Sequence, residues 1–104
     1  MKLGAYQFPV SGDIGKNLEK ITGATVRAAS EGVQLLAFPE CALTGYPPKD
    51  IPSPAAVDFE TLEDAHEELQ SLVNNQGVCL IVGTMTRAAG GVRNSALMSR
   101  PGRR

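Results

Sequence analysis

The segment Ala37-Phe38-Pro39-Glu40-Cys41 sets a carboxylate beside a thiol, directly after an apolar run. In layered α/β proteins ligand sites gather at the carboxyl ends of strands, so a glutamate there is placed to act as a general base. Its neighbours Phe38 and Leu43 predict partial burial, which would suit the carboxylate to that work. The local pattern alone fits a surface loop glutamate equally well. Cys41 invites a reading as nucleophile, but adjacent side chains point in different directions and nothing near it in sequence would activate a thiol. It reads as packing. Cys79, inside Val78-Cys79-Leu80-Ile81-Val82, reads as a small buried hydrophobe. His66 is the sole histidine and sits at the margin of an apolar helical stripe among glutamates, which predicts a structural role. Gly12-Asp13-Ile14-Gly15 lacks the glycine spacing of a dinucleotide fingerprint, and no Cys/His cluster has zinc-ligand spacing. No metal site is expected.

The elements that must position Glu40 follow from periodicity. Residues 3–8 read as a strand and 9–15 as a loop rich in turn residues. Ile14, Leu18, Ile21, Thr25 and Ala28 step by helical spacing and predict a helix to about Ser30, with Gly32 just past its end. Val33 to Phe38 reads as a buried strand. Residues 39–57 carry Pro39, Pro47, Pro48, Pro52 and Pro54, a long stiff loop of the kind that is often functional. Asp58 is a candidate N-cap, and Phe59, Leu62, Ala65, Leu69, Leu72 and Val73 form the stripe of a second helix ended by Asn74, Asn75 and Gly77. A third strand is expected over 78–82, a turn at Ala89-Gly90-Gly91, a weaker strand over 94–100, and a turn at Pro101-Gly102-Arg103-Arg104. This alternation predicts an α/β layered fold. The third strand is apolar on both faces and calls for cover on both, yet only two helices are available. The remaining cover is expected from another chain or from further sequence.

Composition narrows the class. A chain of 104 residues with 42% apolar and 20% charged residues fits one small globular domain. A net charge of −1 supplies no field for nucleic acid or membrane, and the basic residues near the end lack aromatic interleaving. Neither is an expected partner. The start lacks the apolar stretch of a signal peptide and no segment reaches membrane-span length, which predicts a cytoplasmic protein with reduced thiols.

Four segments, in order, resemble the N-terminal part of the nitrilase superfamily, the carbon–nitrogen hydrolases. They are Gln7 and Pro9 with Gly12-Asp13 and Lys16-Asn17-Leu18; Leu36-Ala37-Phe38-Pro39-Glu40 with Leu43-Thr44-Gly45-Tyr46; Ile81-Val82-Gly83-Thr84; and Asn94-Ser95-Ala96-Leu97 with Pro101-Gly102. The resemblance runs over essentially the whole chain, and Phe-Pro-Glu followed by Leu-Thr-Gly-Tyr is its most specific pairing.

The resemblance implies the N-terminal half of a four-layer α-β-β-α sandwich, with residues 1–104 forming part of one carbon–nitrogen hydrolase domain. It implies a Glu-Lys-Cys mechanism through a covalent thioester, acting on a small amide without a cofactor. Of that set only the glutamate maps here, onto Glu40; Tyr46, in the loop that follows, is a candidate for the substrate pocket. Lys2, Lys16, Lys20 and Lys49 lie outside the family's lysine segment, and neither Cys41 nor Cys79 matches its nucleophile. The chain alone is therefore expected to be inactive, and a homo-oligomer is the expected assembly. Leu43-Thr44-Gly45-Tyr46-Pro47-Pro48-Lys49-Asp50 is also similar to the glutaminase domain of glutamine-dependent NAD synthetases. A non-catalytic half-domain that acts by association is the third alternative.

Overall fold

The computed structural model describes residues 1–102, so Arg103 and Arg104 of the expected final turn lie outside the described residues. The elements run β1 (Leu3–Ala5), α1 (Ile14–Ser30), β2 (Leu35–Ala37), a 3-10 turn (Pro54–Ala56), α2 (Phe59–Gln76), β3 (Cys79–Ala88) and β4 (Gly91–Ser99). The four strands form one sheet in the order β1-β2-β3-β4, with β1, β2 and β3 parallel and β4 antiparallel to β3.

Local signals set the helix ends. The Asp13 carboxylate accepts the Lys16 N–H at the start of α1, and the Asp58 carboxylate accepts the Glu60 and Thr61 N–H groups at the start of α2. Those bonds, above all from the Thr61 backbone and hydroxyl, hold the Asp58 carboxyl below its ordinary value. At the end of α1, Gly32 takes φ +79°; its N–H reaches Ala29 O and the Val33 N–H reaches Ala28 O, the paired bonds of a Schellman motif.

Two departures from the expected strands have simple causes. β1 ends at Ala5 rather than Phe8: beyond Ala37 the partner strand enters Pro39, and only one more bond, Tyr6 N–H to Ala37 O, continues the ladder. β3 continues past the apolar run to Ala88, because Thr84 and Thr86 suit a pleated strand and β4 pairs with it as a hairpin from Leu80↔Ser99 to Ala88↔Gly91.

Both helices lie on one face of the sheet. β1, β2 and β3 follow one another in the same direction, and two right-handed crossovers then place their helices on the same side. Ile21, Ala24 and Ala28 of α1 and Leu62, Ala65, Leu69 and Val73 of α2 pack with Leu36, Leu80 and Val82 in one core. Among the described residues no element covers the opposite face. Leu3, Leu35 and Cys79 are in register there, as are Ala5, Ala37, Ile81 and Met98. Leu3 and Met98 are exposed, and Leu35, Ala37, Cys79 and Ile81 are half-buried. The two-faced cover expected for the third strand is thus present on one face only.

Candidate active site

The turn after β2 is held against β3 by main-chain bonds. The Phe38 N–H reaches Ile81 O at 2.9 Å, the Leu43 N–H reaches Gly83 O at 3.1 Å, and the Gly45 N–H closes back on Cys41 O at 2.9 Å. Gly83 makes the approach possible. A Cβ built on it would sit next to Cys41 N, Pro39 O and Glu40 C, all backbone atoms. Residues Cys41 to Gly45 are buried. From below, Asn17 pins this turn to α1: its Nδ2 donates to Leu43 O at 3.0 Å and to Ser11 O at 2.8 Å. Its Oδ1 accepts the Ser11 N–H at 2.9 Å and the Ser11 hydroxyl at 3.2 Å.

Glu40 itself is exposed, which corrects the expected partial burial. Leu43 turns into the core and is fully buried, and Phe38 is only half-buried, so neither walls the carboxylate from water. Glu40 stands between two depressions. One, of about 360 Å³, is lined by Phe8, Pro9, Pro39, Tyr46 and Lys49 as well as Glu40. The other, of about 350 Å³, adds Ile81, Gly83, Asn94 and Ser95. Tyr46 is half-exposed, and its backbone N–H is fixed by the Asp50 carboxylate at 2.8 Å. The structure therefore brings Glu40 and Tyr46 to one depression. Lys49, set aside on sequence grounds, lines it too.

Cys41 is buried, in keeping with a packing role. Its backbone takes φ +54°, a left-handed conformation rare for a residue with a Cβ. Its Sγ lies 3.6 Å from Asn94 Oδ1 on β4. Burial first, and then the Glu40 charge, push the thiol above its ordinary value of 9.0, with a weaker pull downward from the Thr44 side chain and a further push from Asp50. At neutral pH it is a protonated thiol and therefore the donor to Asn94. A consequence is testable. The folded chain holds this proton more tightly than the unfolded chain, so the thiol's stabilising contribution is full below about pH 9 and is lost as pH rises through the folded value. Chemical unfolding from pH 7 to 11 should show this alkaline loss, and Cys41→Ala should remove it. A pH profile identical in the two proteins would refute the assignment.

His66 is buried under α2, with Nε2 at 2.9 Å from the Thr84 hydroxyl and Nδ1 at 3.3 Å from a Glu63 carboxylate oxygen. It joins α2 to β3, as its sequence context predicts. Among the described residues no three His, Cys, Asp or Glu side chains are grouped to hold a metal, and no helix is long and apolar enough to cross a membrane. Sequence reasoning missed Asn17 and Asn94 as parts of this architecture. Their only signal was membership in the resembling segments.

The arrangement can be set beside known proteins. Residues 2–103 match the carbon–nitrogen hydrolase family. A glutamine-dependent NAD(+) synthetase from Synechocystis sp. is 40% identical over 80 residues, covering 75% of this chain and 14% of that protein. Among solved structures, the NitN amidase of Nesterenkonia sp. AN1 superposes with a TM-score of 0.81 at 27% identity, over 96% of this chain and 39% of that one. A variant of that amidase in complex with butyramide gives a TM-score of 0.80 at 27% identity, over 96% and 38%. The chain thus spans well under half the length of these relatives, and its sheet with two helices on one face is one half of the nitrilase-type α-β-β-α sandwich. The chain belongs to the carbon–nitrogen hydrolase family.

Proposed function

We propose that this chain carries the general base, Glu40, of a hydrolase that cleaves small amides. The observation that supports it is the placement of Glu40: at the carboxyl end of β2, on the rim of two depressions, one of them shared with Tyr46. In this reading Glu40 takes the proton of a cysteine thiol as the sulfur attacks the amide carbon. It returns that proton to the departing amine, leaving a thioester. It then deprotonates the water that releases the acid and regenerates the thiol. The nucleophile is not Cys41, whose thiol is buried and protonated, and no residue of this chain matches the family's cysteine or lysine. Because Glu40 faces solvent here, the reading requires further polypeptide to enclose the reacting groups.

The test is turnover of short aliphatic amides, carbamoyl amino acids and glutamine by the longest natural reading frame that contains this chain. Glu40→Gln should lower kcat by at least about 100-fold, the usual range for loss of a general base. A fully active Glu40→Gln protein, or a parent that turns over none of these amides, overturns the reading.

A second reading has its own support. The segment Leu43 to Asp50 and the similarity to the NAD(+) synthetase favour glutamine as the amide, with ammonia passed to a synthetase domain. Preference for glutamine over butyramide in the same assay would select it.

A further inference from the structure

Glu40 is followed by the one non-glycine residue with positive φ among the described residues, Cys41 at +54°. Such a conformation persists only when the surroundings over-determine it, and it gathers at functional sites. Three contacts do so here. Gly83 of β3 leaves no room for the Cys41 N–H to move inward, the Gly45 N–H caps the Cys41 carbonyl at 2.9 Å, and Asn94 of β4 meets Sγ at 3.6 Å. The first two are made by main chain alone. The third is made by side chains, and whereas the Thr44 side chain meets the Cys41 thiol from within the same turn, Asn94 ties the Glu40 turn to the far strand of the hairpin. Asn94 also lines the depression beside Glu40 and the one that holds Cys41 and Tyr46.

We propose that the Cys41–Asn94 contact is a positioning latch: it holds Cys41 in its left-handed conformation and so fixes the direction in which the Glu40 side chain leaves the backbone. Asn94 and Cys41 are positioning residues in this account, not catalytic ones, and the account rests on the proposed role of Glu40 only for its effect on turnover. The direction of the bond follows from the chemistry. A buried, neutral thiol donates, and the carboxamide oxygen accepts. Cys41→Gly separates the latch from simple stability, since glycine adopts the left-handed region freely while removing Sγ.

The experiment has two arms. In the 104-residue chain, the residual dipolar couplings of the Glu40 and Cys41 amides are measured by NMR. Asn94→Ala should shift these couplings towards averaged values, whereas Cys41→Ser, which keeps a donor to an intact Asn94, should retain most of the parent pattern. In the longest natural reading frame, Asn94→Ala and Cys41→Gly should lower kcat at least about tenfold, as misplacement of a reacting group does, with KM within about twofold. Neither should lower the thermal midpoint by more than a few degrees. Unchanged couplings in Asn94→Ala overturn the latch, and so does a loss of kcat that merely tracks the thermal midpoint. If Glu40→Gln stays active while Asn94→Ala changes the couplings, the latch stands and the role of Glu40 falls. If Glu40→Gln is inactive while Asn94→Ala matches the parent in both arms, the latch alone falls.

Discussion

Gly83→Ala is expected to lower the unfolding free energy by about 3 kcal/mol, at the upper end for overpacking, because nothing that it strikes can rotate away. The added Cβ would lie against Cys41 N, 2.5 Å from Pro39 O and 2.8 Å from Glu40 C. Each is main chain, so either β3 or the whole Glu40 turn must shift, and the Leu43 N–H bond to Gly83 O goes with it. The measurement is the urea midpoint by circular dichroism. Gly23→Ala is its control: Gly23 lies inside α1, a Cβ added there meets nothing within 4 Å, and alanine should stabilise by up to about 1 kcal/mol. A Gly83→Ala midpoint equal to that of the parent would show that the turn does not rest on β3 as described.

Asn17→Ala is expected to cost a similar amount, about 3 kcal/mol, by a different route. The side chain is 1% exposed and every polar atom on it is used. Alanine would leave Leu43 O, Ser11 O and the Ser11 N–H without these partners, with Leu43 O the one of them that is fully buried. The loss of unmade bonds outweighs any gain in helix propensity, which is under about 1 kcal/mol. Asn17→Asp should be no better, since it sets a carboxylate against two carbonyl oxygens. Hydrogen exchange gives the local readout: amides of Leu43 and Gly45 should exchange faster in Asn17→Ala relative to amides in the middle of α2. Uniform acceleration across the chain would mean that Asn17 supports the fold generally rather than this turn.

Much of the architecture was legible because it is written in short-range terms. The stripe Ile14 to Ala28 and the glycine at position 32 mark α1, and Asp58 and Gly77 bracket α2, all from interactions within a turn or two. Glu40 was legible as a residue of interest from its place after an apolar strand and from the family pattern around it. Its exposure was not, because that depends on Leu43 turning inward towards a core assembled from both helices. β3 beyond Val82 was hidden for a related reason. Gly83 and Thr84 break the apolar run, and what keeps the strand going is a partner that starts at Gly91. Asn17 reaches Leu43, and Asn94 reaches Cys41, across separations that no local pattern records. The same holds for His66: its sequence context gave the packing role, but only the structure supplies Thr84 as the group it meets.

The β3–β4 hairpin has a consequence for the order of assembly. Its strands are joined through Ala89 and Gly90 alone, so their pairing needs only a short closure, and hairpins of this kind form within about 1–10 µs. The parallel pairs Leu3↔Leu35 and Leu35↔Cys79 each wait on a long segment with a helix inside it. Contacts that span long segments are the slower ones to form. Gly83 and Asn94 are therefore expected to pair early, although a two-stranded ribbon gains lasting stability only once helices or further strands pack on it. The Glu40 turn, bonded to β3 through Phe38 and Leu43, is then expected to close only as the β2–β3 pairing forms.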